Sequence, residues 1–259
     1  MDVAGAAFAT ILAQAVSVVL SIIIIRKQKL PFTLTKKDIC FNPEIKVVFG
    51  LGFPIAFQDL LVNISFLILC SIVNNIGLEA SSGYGIAQKV INFVMLIPSA
   101  LMQSMSAFIA QNVGAGKEDR ARKAMRTGMG IGVAIGVFIF ALAFFRGDVP
   151  SQLFTSNAAY IKKAAEYLRG FSPEAILTCI VFSYIGYFNG HGKTLPVMLQ
   201  GISASFLVRV PFSYLFSLKE NVTLVDIGIA VPLASVYGIV FFTIYYIIYT
   251  KQRKKEITL

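Results

Sequence analysis

Charge is scarce in this chain. Only 14% of its 259 residues are Asp, Glu, Lys or Arg, whereas a soluble domain carries about 25%. With 56% apolar residues and a mean hydropathy of +0.74, too little polar surface exists to cover a water-soluble core of this length. Histidine is rarer still. His191 stands alone, with no nucleophile, base or metal-ligand cluster in the sequence around it, so hydrolytic and zinc chemistry have no residues to act through and no enzyme is expected. The three cysteines, Cys40, Cys70 and Cys179, are odd in number and lack metal-ligand spacing, which leaves ordinary packing or a reduced loop thiol. No basic stretch precedes the first apolar block, Val3 to Ile25, and no small-residue cleavage site follows it, so no cleavable signal peptide is expected. The last apolar block, Asp226 to Thr250, holds no lysine, which excludes a retinal protein.

Long apolar runs are what the chain has in abundance. A helix crosses a bilayer with about 20 residues, and seven stretches reach that length: 3–25, 47–74, 82–112, 126–145, 159–188, 195–217 and 225–250. They lack the strict alternation of barrel strands, so the reading is an all-α, polytopic transmembrane helical bundle of about seven spans. The net charge of +10 points to topology and away from nucleic acid because of where the cations lie. Arg26, Lys27, Lys29, Lys36, Lys37 and Lys46 follow the first span; Lys117, Arg120, Arg122, Lys123 and Arg126 follow the third; Lys251, Arg253, Lys254 and Lys255 form the tail. Together with the Asn189 to Thr194 turn these segments fall on one side, which the positive-inside rule makes cytoplasmic. The expectation is a multi-pass protein of the plasma or inner membrane, N-terminus outside and C-terminus inside. The first and last spans also echo each other: Asp2, Ala6 and Arg26-Lys27-Gln28-Lys29 match Asp226, Ala230 and Lys251-Gln252-Arg253-Lys254. Internal repeats of this kind are a common transporter plan.

Ionisable groups at membrane depth are costly and mark candidate function. Asp59, thirteen residues past Lys46, is about 20 Å into its span. With Gln58 and Asn63 it follows Gly50, Gly52 and Pro54, a run that weakens a helix and frees carbonyls. It reads either as a substrate or cation site or as a neutral Asp that joins two helices. Glu174, beside Pro173, is the second embedded carboxylate: either a proton carrier or a residue facing water where a later-starting span begins. Arg209, two residues before Pro211, and Lys89 line an outward cavity or snorkel to the headgroups.

Two stretches imitate phosphate loops. Gly190-His191-Gly192-Lys193-Thr194 has the right ending, but the pattern needs glycine where Tyr187 stands. Gly114-Ala115-Gly116-Lys117 is followed by Glu118, without the hydroxyl that holds magnesium. Both read as tight turns that close helices.

These residues, taken in order, carry a resemblance. Gly5-Ala6-Ala7-Phe8-Ala9-Thr10, Gly52-Phe53-Pro54-Ile55-Ala56-Phe57-Gln58, Gln111-Asn112-Val113-Gly114-Ala115-Gly116-Lys117, Arg120-Ala121, Tyr187-Phe188-Asn189-Gly190-His191-Gly192-Lys193-Thr194 and Arg209-Val210-Pro211 resemble stretches of the multidrug and toxic compound extrusion (MATE) family. The resemblance covers nearly the whole chain. It implies two pseudo-symmetric six-helix lobes around a central cavity that exchanges organic, often cationic, substrates for H+ or Na+, with no cofactor. It further implies that 1–30 is the last helix of an N-terminal lobe missing here and needed in cis or in trans. On that reading 31–46 is an inter-lobe linker, 47–250 a six-helix C-terminal lobe and 251–259 a basic tail. Two positions depart from the family: the cation-binding glutamate and aspartate of its sodium-coupled branch align with Val62 and Thr178, neither able to carry charge. Asp59, one turn from Val62, is a candidate substitute. The alternatives are a lipid-linked saccharide flippase of the same broad superfamily, whose cavity would be more basic with Lys89 and Arg209 facing it, and a non-transporting seven-span membrane protein.

Overall fold

The computed structural model describes residues 3–27 and 44–258, and no strand occurs among them. The chain divides into two compact units, Met1–Ile45 and Lys46–Leu259. In the first, helix α1 (Val3–Lys27) is one apolar run closed by Arg26 and Lys27, cations that suit the negative end of a helix dipole. Asp2, Cys40 and most of the expected 31–46 linker lie outside the described residues.

The second unit is built from α2 (Glu44–Asn74), α3 (Leu78–Val94), α4 (Leu96–Gly114), α5 (Glu118–Arg146), the short α6 (Asp148–Gln152), α7 (Ala158–Phe171), α8 (Glu174–Gly190), α9 (Thr194–Ser203), α10 (Val210–Ser217) and α11 (Leu224–Thr258). Six stretches, Phe8–Lys27, Ile45–Asn74, Leu78–Gly114, Glu118–Arg146, Thr194–Ser217 and Leu224–Arg253, are each long and apolar enough to cross a membrane; α7 with α8, bent by 49° between them, makes a seventh. The α11 helix continues through the basic tail as far as Thr258.

The breaks fall beside only some of the prolines that composition marked. α2 runs uninterrupted through Gly50, Gly52 and Pro54. The missing Pro54 N–H costs one helical bond, that to the Gly50 carbonyl, and the rest of a 31-residue helix absorbs it. The real breaks are at Ser172–Pro173, where Pro173 cannot donate and Ser172 Oγ donates back to the Arg169 carbonyl at 2.8 Å, and at Ala204–Arg209, which winds as a π-helix between α9 and α10. The π stretch ends just ahead of Pro211, whose ring cannot donate to the preceding turn.

Two apolar cores stack along the bundle. Near one end Leu69, Val73, Tyr84, Ala87, Tyr167, Leu168, Leu224 and Ile227 pack together from α2, α3, α7 and α11. Near the other, Met105, Ile109, Met125, Ile185, Tyr187, Phe188, Val197 and Phe242 do so from α4, α5, α8, α9 and α11. Close helix approach supports the second core. A Cβ added at Gly136 of α5 would stand 2.5 Å from the Ala175 carbonyl oxygen and 3.0 Å from the Ile176 Cα of α8, so this crossing tolerates no side chain.

The two glycine turns are near copies of each other. Gly116 has φ +71° and Gly192 φ +69°. In each, the following lysine N–H bonds a carbonyl five residues back at 2.8 Å, Lys117 to Asn112 and Lys193 to Phe188, closing a helix in the manner of a Schellman motif. Gly192→Ala is expected to cost about 1 kcal/mol, the penalty of an L-residue in the left-handed region. Thermal unfolding of the purified chain in detergent checks it, and an unchanged midpoint would contradict the turn's role.

Candidate functional site

Between the two apolar cores lies a polar layer. Glu174, the first residue of α8, is only 6% exposed. Its Oε1 accepts bonds from the Thr178 hydroxyl, one turn along α8, and from Ser235 Oγ of α11 at 2.8 Å. Its Oε2 has no hydrogen-bond partner among the described residues. The reading of Glu174 as a water-facing residue is therefore corrected: the Pro173 break turns α8 so that its first side chain points inward, where α11 covers it.

Arg209 belongs to the same layer. Its guanidinium donates from Nη1 to Ser65 Oγ of α2 at 2.9 Å and to Ser205 Oγ at 3.4 Å. It also sits 4.3 Å from the centre of the Phe66 ring, a cation–π contact. Arg209 thus turns into the bundle and does not snorkel, and its charge acts on Glu174, Tyr84 and Tyr167. Counting 1.5 Å per residue, Glu174 and Arg209 stand about 24 Å and about 22 Å from the ends of their spans at Gly190 and Thr194, so the two fall at similar depth. Besides Glu174 Oε2, the buried atoms Arg209 Nε and Ser213 Oγ lack partners among the described residues. Each such atom costs about 1–3 kcal/mol in an apolar interior, and a cluster of them beside two helix breaks is the strongest functional signal in the fold.

The Asp59 group lies elsewhere. Asp59 and Asn63 are exposed, with Asn63 Nδ2 donating to the Asp59 carbonyl at 2.7 Å. Gln58 is half-buried and its amide lies against Gly201 of α9. Ser65, which meets Arg209, is six residues further along α2, roughly 240° around the helix from Asp59. Of the expected group, Asn63 bonds the Asp59 backbone while Gln58 turns to α9, and the structure does not join Asp59 to Glu174 or Arg209. Among the motif residues, Gly52 and Gly114 have open space around them, Gly190 packs on Ile109, Pro211 opens α10 and Lys193 precedes α9. Asn189 Oδ1 is a further buried atom without a partner among the described residues.

At the opposite end from Glu79 and Glu220, sequence reasoning missed a junction. Glu118, at the start of α5, accepts bonds from Tyr187 Oη at 3.0 Å, from His191 Nε2 at 3.0 Å and from Arg253 Nη1 of α11. His191, read as lacking any partner, has this one 73 positions away. Its Nδ1 faces the Tyr187 carbonyl at 2.8 Å. Both ring nitrogens thus lie within hydrogen-bond distance of an oxygen. No local signal in the sequence marked this pairing. Among the described residues no three His, Cys, Asp or Glu side chains gather as metal ligands.

Seven apolar crossings with a buried polar layer between two apolar cores define a multi-pass α-helical membrane protein. A MatE family model matches residues 54–215, more than half of the chain, and the chain belongs to that family. It is 24% identical over 272 residues to the "Probable multidrug resistance protein YoeA" of Bacillus subtilis (strain 168), covering 100% of this chain and 56% of that protein. It is 27% identical over 206 residues to the "Multidrug export protein MepA" of Staphylococcus aureus (strain N315), covering 78% and 46%. The chain thus spans about half the length of the curated relatives it matches. The fold matches that of the crystal structure of "MATE in the straight conformation", with TM-score 0.83 at 19% identity over 96% of this chain and 57% of that one. It also matches a MOP superfamily transporter from Pyrococcus furiosus described as having a binding pocket of reverse polarity, TM-score 0.83 at 18% identity over 98% and 57%. The flippase alternative is not favoured: the relatives carry multidrug names, and Arg209 is spent on Ser65, Ser205 and Phe66.

Proposed function

We propose that this chain is the C-terminal lobe, with one preceding helix, of a secondary antiporter that exports small organic, often cationic, compounds in exchange for H+ or Na+. It acts by binding and moving its substrate and needs no cofactor. What carries the reading, beside family membership and relatives named for multidrug export, is Glu174: a buried carboxylate with one bonded and one unpartnered oxygen, placed at a helix break beside Arg209. Such a group gains or loses a proton or cation at a cost that depends on how the surrounding helices are arranged. That dependence is what couples an ion gradient to rocking of one lobe against another. Arg209 holds the opposing charge, anchored by Ser65 so that it does not collapse onto the carboxylate.

Asp59 serves the substrate. A charged group exposed at mid-span is unfavourable against lipid, so this face of α2 meets the water-filled cavity between the lobes, with Asn63 beside it and Gln58 held against Gly201. The basic turns at Gly116 and Gly192 and the tail then lie in the cytoplasm, in the cell membrane of the host. The N-terminal lobe is supplied in cis or in trans.

The test is drug tolerance. Drug-sensitive cells producing the chain together with its N-terminal lobe are expected to tolerate a cationic dye better than cells without it. Asp59→Asn is expected to lower that tolerance severalfold at unchanged protein abundance. No change in tolerance for any of a panel of cationic compounds counts against the proposal.

A further inference from the structure

Beside the Glu118 junction a cavity of about 360 Å³ opens, lined by Val113, His191, Lys193, Tyr245, Tyr249, Gln252 and Arg253. Its lining holds three basic side chains and no carboxylate. The charges do not cancel. Glu118 lies outside the lining and is one negative group shared by His191 and Arg253, while Lys193 is exposed and adds a further positive charge. The walls are held firmly. The His191 side chain is 1% exposed; its ring meets Tyr249 edge-on at 5.6 Å and Tyr187 at 4.2 Å. Tyr245 stacks on Tyr249 at 6.3 Å, and the Arg253 guanidinium lies 5.9 Å from the Tyr249 ring centre.

We infer that this cavity binds a phosphate-bearing anion, either the headgroup of an anionic phospholipid or free phosphate. The lining chemistry fits a phosphate. Arg253 presents a planar fork of donors of which one nitrogen is taken by Glu118; Lys193 adds a mobile ammonium; the Gln252 amide supplies a neutral donor. The level in the membrane fits a lipid headgroup, because the cavity lies where α8 ends, α9 begins and α11 leaves its apolar stretch. Basic recesses between helix ends and tyrosines at the interface are the known physical requirements for capturing such a headgroup. A bound phosphate would join α9 and α11 through Lys193 and Arg253, next to the contact Glu118 already makes between α5, α8 and α11.

The experiment is native mass spectrometry of the purified chain in detergent, titrated with phosphatidylglycerol, with phosphatidylcholine and with inorganic phosphate. Phosphatidylglycerol is expected to form a one-to-one adduct that phosphatidylcholine does not match. Lys193→Gln is expected to weaken it about fivefold, the effect of one lysine near an anionic surface. Lys123→Gln removes the same charge from an exposed position on α5 at the same end, outside the cavity, and is expected to leave the adduct unchanged. Inorganic phosphate that binds with the same dependence on Lys193 identifies a soluble source; failure of phosphate with success of the lipid identifies the headgroup. Equal binding of the two lipids with no phosphate adduct, or equal losses for Lys193→Gln and Lys123→Gln, overturns the inference.

Discussion

Cells that produce both lobes with Glu174→Gln are expected to lose at least about tenfold of their export of cationic dye, equivalent to about 1.4 kcal/mol in the driving step. The substitution is close to isosteric. A glutamine oxygen still accepts from Thr178 and Ser235, the two bonds that hold Oε1, so folding is largely kept. What disappears is the ability to change charge. Glu174→Ala behaves differently, because it strands two buried hydroxyls at about 1–3 kcal/mol each and so lowers the unfolding temperature as well. The contrast separates a charge role from a packing role. Gln with intact stability and lost export supports the proposal; Gln with export equal to the unaltered protein removes Glu174 from the mechanism. Glu174→Asp, shorter by one methylene but still ionisable, is expected to retain part of the activity.

Glu118→Ala is expected to produce the largest loss of stability, about 2–4 kcal/mol. One carboxylate receives donors from Tyr187, His191 and Arg253, and its side chain is only 19% exposed, so water replaces those bonds incompletely. Truncation leaves the Arg253 guanidinium without its counter-charge and the buried Tyr187 hydroxyl and His191 ring without their shared acceptor. Thermal unfolding in detergent reads the loss. Limited proteolysis near Arg253 reads its local form, since the end of α11 loses its tie to α5. Glu118→Gln, which keeps the size but not the charge, is expected to fall between. An unchanged midpoint in the alanine variant would show that the junction contributes nothing to holding these helices together.

The hydrophobic runs made the seven crossings legible, because a bilayer imposes a length and an apolar composition that no tertiary contact is needed to reveal. Glycine-lysine turns were legible for a similar local reason: Gly116 and Gly192 take a backbone conformation that other residues resist, and the helices they close depend on nothing distant. Helix breaks were only half legible. Pro54, Pro173 and Pro211 look alike in sequence, yet α2 passes through Pro54 while the other two mark a bend and the end of a π-helical turn. Whether a missing N–H bends a helix is settled by the neighbours that can hold the chain in its altered path.

Polar residues at depth divide in the same way. That Asp59, Glu174 and Arg209 were candidates followed from their charge in an apolar context, a property of the sequence by itself. Their facing did not. Ser65 and Phe66 beside Arg209, Ser235 above Glu174, and Glu118 against His191 and Arg253 are partners drawn from other helices, 61 to 144 positions away. By itself the sequence determined the solvent, the number of crossings and which residues were too costly to be incidental, because each depends on transfer energies summed along one segment. Only the tertiary structure decided which of those residues meet, since pairing depends on the rotation and depth of every helix, and a shift of one residue turns a side chain through about 100°.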